Sequence, residues 1–539
     1  MKKQTFALAT VQTRWLFIYI LIIGFLLAIH LRLSQYAFDD AYIHFRVARN
    51  LIETGAPYFN PLAPLKVSTS SGWVIFLAAI YALVKTIHLE GYFPVVVSIT
   101  NVFITTGAAI VYPRIVEIVQ EKPLQVFQKL ILQAIILAVL LPASIGLMET
   151  PLALLVAGLG LYLFLRSQPL GFAFLGFAAY LRLELLVLLA LLSLFAIVKR
   201  KFLVVQIIGY YILGTIPVAL FDLFFYHTVV PHSIIAKSLI YSLTPSNSLT
   251  DILFKSMPGI PMLTPLEVAG FMALVIVPCW IIVREKIRQG TSGYPALLYG
   301  AGVLIACIYV LGHSLVFEWY IPLYMLPIAV SLFLYAIKHL ENRILSLSLF
   351  LLFSLSVVSI LAVTYAAIRR PDQFVLFQSG ARVKMYLTIA KAINEDYPNR
   401  TLLTSEIGGL GYAFSGVILD AAGLASSDAL FFHPMNVPKD RSYGYLGAIP
   451  PGYVKLTSPD IIVSYDIFAE ALIRDAISHQ YTIITLPAYL PEDAKYSESK
   501  TIWGSRYVRI YIRKSLPVSG GICALATTLN EIPNKACTG

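Results

Sequence analysis

The chain has 539 residues, 58% of them apolar and only 13% charged, with a net charge of +11 and a mean hydropathy of +0.77. The charged share is about half that of an ordinary soluble domain, which excludes a water-soluble globular fold. Many windows approach the roughly 20 apolar residues that cross a bilayer as a helix, and a β-barrel would show short alternating segments instead. The positive charge does not signal a nucleic-acid partner, because much of it lies in short loops between apolar runs, where Lys and Arg orient the spans.

Met1 to Arg14 carries Lys2, Lys3 and Arg14 and is expected on the cytoplasmic side. The first span runs from about Trp15 to Leu33 and lacks a small-residue cleavage pattern before Asp39, so it reads as a retained helix. The loop 34–72 is then exterior. It contains Phe38-Asp39-Asp40-Ala41-Tyr42-Ile43, the opening of a helix of mixed polarity that reaches Thr54. Apolar runs follow at Trp73–Leu89 and Tyr92–Tyr112, then a polar loop Pro113–Lys129. Leu130–Met148, Pro151–Leu165, Leu170–Leu181 and Leu185–Val198 come next, ahead of the cytoplasmic anchor Lys199-Arg200-Lys201. Phe202–Phe225 crosses outward and a long loop extends to about Pro265. Val268–Val283, Tyr294–Gly312, Tyr320–Ile337 and Leu345–Ala367 complete the set, with basic loops at Arg284, Lys286 and Arg288 and at Lys338 and Arg343.

These runs predict a polytopic helical membrane body over 1–368 with about 11–13 spans. Counting back from Lys199 puts Glu149, Arg182 and Glu184 outside, with the Asp pair, only if Trp73–Leu89 makes no net crossing.

From about Arg369 the polar share rises and no span-length run remains, so 369–539 reads as a soluble α/β domain on the exterior side. Its predicted elements are a helix Gln378–Asp396, strands at Thr401–Ser405, Val417–Asp420, Ile461–Ser464, Thr482–Leu486 and Arg506–Ile512, and a helix Phe468–Ser478. Cys523 and Cys537 lie in the tail, where an exterior location would let them pair. Cys279 and Cys307 lie inside apolar runs and read as packing residues. No zinc-type spacing occurs.

Adjacent carboxylates raise each other's pKa, which suits a group that takes a proton or meets a cation. The plain alternative for Asp39-Asp40 is a helix N-cap. His44, Arg46 and Arg49, interleaved with Tyr42 and Phe45, favour the first reading, with cations for phosphate and aromatic faces for sugar. Lys66-Val-Ser-Thr-Ser70-Ser-Gly-Trp73 is either a hydroxyl-rich helix start or a substrate contact. Glu149, before Pro151, is a cap or a cavity-lining acid. Arg182 and Glu184 are a mutual ion pair or a polar interruption of functional use. His227, His232 and Lys237 form a generic interfacial segment or a phosphate cradle. His313, Glu318, Trp319 and Tyr320 suit an aromatic belt.

In this order the motifs resemble those of GT-C glycosyltransferases, most like the mycobacterial terminal arabinofuranosyltransferases and their bacterial relatives. They are Asp39-Asp40-Ala-Tyr-Ile-His-Phe-Arg, Tyr58-Phe59-Asn60-Pro61, Ser-Thr-Ser-Ser-Gly-Trp73, Gly-Leu-Met-Glu149-Thr-Pro, Arg182-Leu-Glu184 and Pro231-His-Ser-Ile-Ile-Ala-Lys237. Glu406-Ile-Gly-Gly-Leu-Gly-Tyr and Leu419-Asp420-Ala-Ala-Gly423-Leu424 resemble the extracytoplasmic domain of that family. Leu183 stands where the family has Pro, His227 where it has Gly, and His232 where it has Asn.

The resemblance implies an inverting transfer of sugar from a polyprenyl-phosphate donor to a glycan, lipid or protein acceptor, on the outer face of the bacterial inner membrane. It implies Asp39, by preference, as general base, with Asp40 orienting it or helping to hold a divalent cation if one is used. Arg46, Arg49, His232 and Lys237 would meet the donor phosphate, and Ser70, Glu149, Arg182 and Glu184 would line the donor site. The competing readings are a lipid-linked-sugar flippase or transporter, an oligosaccharide ligase and a polymer-binding protein. A flippase needs polar groups through the bilayer midplane, whereas these cluster at one face.

Overall fold

The structure, a computed structural model, describes residues 2–61, 63–240, 293–312, 314–339, 343–435, 448–518, 520–529 and 537, with backbone alone for 2–14. The expected span Val268–Val283, the basic loop at Arg284, Lys286 and Arg288, and Cys279 and His313 lie outside the described residues.

Among the described residues of the first 368, the long apolar runs form helices. The helices are α1 (Lys2–Leu33), α2 (Asp39–Thr54), α3 (Ser71–Thr86), α4 (Phe93–Gln120), α5 (Val126–Ile145), α6 (Thr150–Leu165), α7 (Gly171–Leu181), α8 (Leu186–Val198), α9 (Val204–Tyr226), α10 (His232–Ile240), α11 (Tyr294–Leu311), α12 (Ile321–Lys338) and α13 (Arg343–Ile368). Among the described residues seven helices are long and apolar enough to cross a membrane, those built on α1, α4, α5, α9, α11, α12 and α13. α3, α6, α7 and α8 are apolar but shorter. The chain is a multi-pass helical protein.

The expected loop at Pro113 is instead helix, since α4 runs through Pro113 to Gln120. Proline cannot donate to the carbonyl four residues back. Here that carbonyl, Ala109 O, accepts from Gln133 Nε2 of α5 at 3.2 Å, and the helix continues. It ends at Glu121, in the left-handed region at φ 57°. Cys307 is exposed on α11 rather than packed inside.

α3 lies along α2. Its leading loop meets the first half of α2, where Ser68 bonds His44, and its far end meets the last turn, where Tyr81 bonds Glu53. α4 then begins beside both, with Phe93 5.0 Å from Phe45 and 5.1 Å from Tyr81, ring to ring. The last turns of α1 meet the first turns of α4, His30 Nδ1 lying 3.3 Å from Ser98 Oγ, so α2 and α3 together make no net passage from one end of the bundle to the other.

The C-terminal region begins with α14 (Phe377–Asp396) and folds around a five-stranded sheet of order β2-β1-β3-β5-β4. Its strands are β1 (Thr401–Thr404), β2 (Val417–Asp420), β3 (Ile461–Tyr465), β4 (Tyr481–Pro487) and β5 (Tyr507–Arg513). β1 is parallel to β2 and β3, and β5 is antiparallel to β3 and β4. All five residues of β3 are buried, as a central strand covered on both faces requires. The short helix α15 (Gly408–Ala413) follows β1. The helix expected at Phe468–Ser478 is α16, Asp466–Arg474, followed by a separate 3-10 turn Ala476–Gln480 that Asp475 caps. Cys523 and Cys537 are disulfide-bonded.

Candidate functional site

α2 has two working faces. Residues 39, 46 and 49 recur at i, i+7 and i+10 and share one stripe, while 40 and 44, at i and i+4, share the next, because each residue turns the helix by about 100°.

The first stripe grips the C-terminal region. Both Asp39 carboxylate oxygens accept backbone amides at the start of α15, from Gly408 at 2.8 Å and Gly409 at 2.9 Å. Burial pushes the Asp39 carboxyl pKa up, against Arg382 and these two amides, which pull it down. Arg46 is buried and donates to four carbonyls: Phe59 at 2.7 Å, Gly411, Phe414 at 2.9 Å and Gly416 at 3.0 Å. Arg49 donates to Tyr412 O at 3.0 Å and stands over that ring. Asn60 completes the grip on the free edge of β2, donating to Ile418 O at 2.7 Å and accepting Ile418 N at 3.0 Å. An edge strand left open would template aggregation, and this amide covers it. His232 joins from α10, its Nε2 3.0 Å from Gly423 O. Arg46, Arg49 and His232, expected on phosphate, are thus bonded to the domain's carbonyls, and Asp39, expected as base, to its amides.

The second stripe opens a different group. Asp40 pairs with Lys237 at 3.1 Å, the two side chains being 27% and 19% exposed. One turn further on, buried His44 places Nδ1 2.9 Å from Ser68 Oγ and Nε2 3.8 Å from Glu149 Oε2. Glu149 is fully buried just before α6, and its other oxygen accepts Arg182 Nη1 at 2.7 Å. Among the described residues Oε2 has no hydrogen-bond partner. Arg182 also forks onto Glu184 at 3.2 and 2.6 Å and lies 4.3 Å from the Tyr320 ring centroid. Tyr309 donates to Glu184 at 2.6 Å. The chain Asp40–His44–Glu149–Arg182–Glu184 brings together residues from three segments of sequence: α2, the start of α6 and the turn after α7. Ser70 stays apart from it, capping α3 by accepting Trp73 N at 3.3 Å.

Aromatic rings wall this group. Phe317 lies 5.4 Å from the Lys237 ammonium and stacks on Trp319 at 4.6 Å, which meets Phe38 at 4.3 Å. Two members went unnoticed in sequence. Phe317 lies beside the expected aromatic belt. Asp222 is a carboxylate within an apolar span, a signal in itself. It binds Lys66 at 2.5 Å and Ser71 at 2.5 Å, fixing the loop that carries Ser68.

Among the described residues no group of three or more His, Cys, Asp or Glu side chains converges as a metal site. The two Asp carboxylates do not form a joint donor set, one being bonded by amides and the other by Lys237.

Burial is the largest influence on His44 and pushes its pKa down, Glu149 and Asp40 pulling the other way and Lys237 and Arg182 adding to the fall. The folded state therefore binds this proton less readily than the unfolded chain. Its stabilising contribution is complete above the ordinary histidine value, about 6.5, and is lost as pH falls below it. Thermal melting between pH 7.5 and 5 should show wild type losing stability toward acid, with His44→Gln flattening that part of the curve. An unchanged slope would remove His44 as its source.

Compared with known proteins, the chain matches no protein-family model and no curated sequence.

Proposed function

We propose that the protein is an inverting glycosyltransferase of GT-C type. In this reading it moves a sugar from a polyprenyl-phosphate donor to a cell-envelope glycan, lipid or protein on the outer face of the bacterial inner membrane. The observation that carries the reading is Asp40, part-exposed and paired with Lys237 in front of the buried His44–Glu149–Arg182–Glu184 chain. Such a group can take one proton and meet one anion at the rim of an apolar bundle.

Asp40, not Asp39, is the general base of this proposal, since both Asp39 oxygens already accept amides. The acceptor hydroxyl gives its proton to Asp40 as its oxygen attacks the anomeric carbon from the side opposite the phosphate. The bond from that carbon to the phosphate oxygen breaks, and its electron pair leaves on polyprenyl phosphate. That dianion needs a cation most at the transition state, and Lys237 is nearest. A phosphate that draws Lys237 away also frees the base, so donor binding arms the site. Glu149, held by Arg182, keeps His44 in place behind Asp40, and Phe317, backed by buried Trp319, supplies a ring face for the sugar.

An exterior site needs a lipid carrier, because nucleotide sugars are made inside. The Cys523–Cys537 bond supports a C-terminal region outside the cytoplasm, where disulfides persist. Incubating the purified protein with a panel of polyprenyl-phosphate sugars and an envelope acceptor extract should release polyprenyl phosphate from one of them. Transbilayer movement of intact lipid-linked sugar without that release would instead make the protein a flippase.

A further inference from the structure

The end of the bundle away from Asp40 carries a second feature. α4 starts beside α2 and α6 starts at Glu149, so the far ends of both lie about 24 Å away for a helix of 16 residues such as α6. There a cleft of about 620 Å³ opens between them. Its floor is apolar, with Val111, Ile118 and Leu159, and its rim carries Arg114, Lys122 and Arg166 beside Glu117 and Glu121.

Glu117 is already neutralised. One oxygen pairs with Arg114 at 2.9 Å and the other accepts the Leu124 amide at 3.4 Å. Arg166 stands off the Tyr162 ring at 5.7 Å, and among the described residues neither it nor Lys122 has a carboxylate within ion-pair distance. The rim thus keeps two exposed cations against Glu121 alone. The same end shows cations over aromatic rings, Lys129 over Trp15 at 4.4 Å and Lys201 over Phe164 at 4.5 Å. That combination marks the level of lipid headgroups. A basic rim over an apolar floor between spans suits an amphiphile with an anionic head.

We propose that this cleft is a structural binding site for one anionic glycerophospholipid, its phosphate between Lys122 and Arg166 and its acyl chains along Val111, Ile118 and Leu159. It is separate from the Asp40 group and does not depend on the transferase reading. Positive charges that merely orient spans would not select a lipid copy, and this distinction can be measured.

The full-length protein is purified from mixed phosphatidylcholine–phosphatidylglycerol nanodiscs and examined by native mass spectrometry. Wild type is expected to retain one phosphatidylglycerol. Lys122→Gln with Arg166→Gln should lower that retention about thirty-fold, as two surface cations imply. Lys199→Gln with Arg200→Gln, at the same end but outside the cleft, should retain it like wild type. The proposal is overturned if wild type keeps none, if both double variants lose it equally, or if phosphatidylcholine is kept as well. It also fails if millimolar inorganic phosphate displaces the lipid, because the site would then serve a soluble anion.

Discussion

Asp40→Asn should lower release of polyprenyl phosphate about a thousandfold, within the roughly 10²–10⁴-fold effect of losing a general base, and should leave thermal stability near that of wild type. Its carboxylate is part-exposed and paired with Lys237 at 3.1 Å. The amide keeps shape and size, and an exposed ion pair contributes only about 0–1 kcal/mol. Asp39→Asn behaves the other way. One oxygen becomes an NH2 facing the amide of Gly408 or Gly409, and a buried donor left unmet costs about 1–3 kcal/mol. That variant should melt lower and lose domain docking, with transfer falling only as far as the docked population falls. Parallel melting and turnover measurements separate the two. A dead Asp39→Asn of wild-type stability beside an active Asp40→Asn would return the base to Asp39 and remove the present assignment.

Those two aspartates show where sequence reading reached and where it stopped. Apolar length revealed the helical body, and four short apolar runs with one alternating run in the last third placed all five strands to within a residue or two. The motifs were also legible as motifs, since an acidic pair, a hydroxyl run and a lone Glu before Pro stand out against so apolar a chain. Their division of labour was not. Asp39 and Asp40 are neighbours in sequence but about 100° apart around α2, and only the docked domain decides which one faces its amides. Arg46 reads as a phosphate ligand until the carbonyls of Phe59, Gly411, Phe414 and Gly416 surround it. Those partners lie up to 370 residues away, and no local pattern encodes them. Pro113 misled for a related reason, because the side chain that accommodates it, Gln133, belongs to another helix.

Gly408→Ala should undock the C-terminal region from the membrane body. A Cβ at Gly408 would lie 1.9 Å from the Asp39 carbonyl oxygen, 2.6 Å from its carbonyl carbon and 2.7 Å from its Cγ. Two of these are backbone atoms of a helix start, so no rotamer change relieves the clash. α15 must back away, and the amides of Gly408 and Gly409 then lose Asp39 together. Overpacking of this kind typically costs about 1–3 kcal/mol, and unmet buried groups add to it. Gly409→Ala provides the comparison. Its Cβ would meet Val383 Cγ1 and Val383 O, each at 3.1 Å, a contact that a few tenths of an ångström relieves. Hydrogen exchange across Gly408–Ala413 and along the β2 edge at Ile418 should rise strongly in Gly408→Ala and slightly in Gly409→Ala. Limited proteolysis in the 368–377 connection should follow the same order. Because Asn60, Arg46 and His232 hold the same domain, undocking also exposes the β2 edge and withdraws Gly423 from His232, at the head of the helix that presents Lys237 to Asp40. Transfer should therefore decline in step with exchange at Ile418. Wild-type exchange at both segments in Gly408→Ala would mean that α15 does not rest on Asp39, and that the first stripe of α2 has some role other than docking.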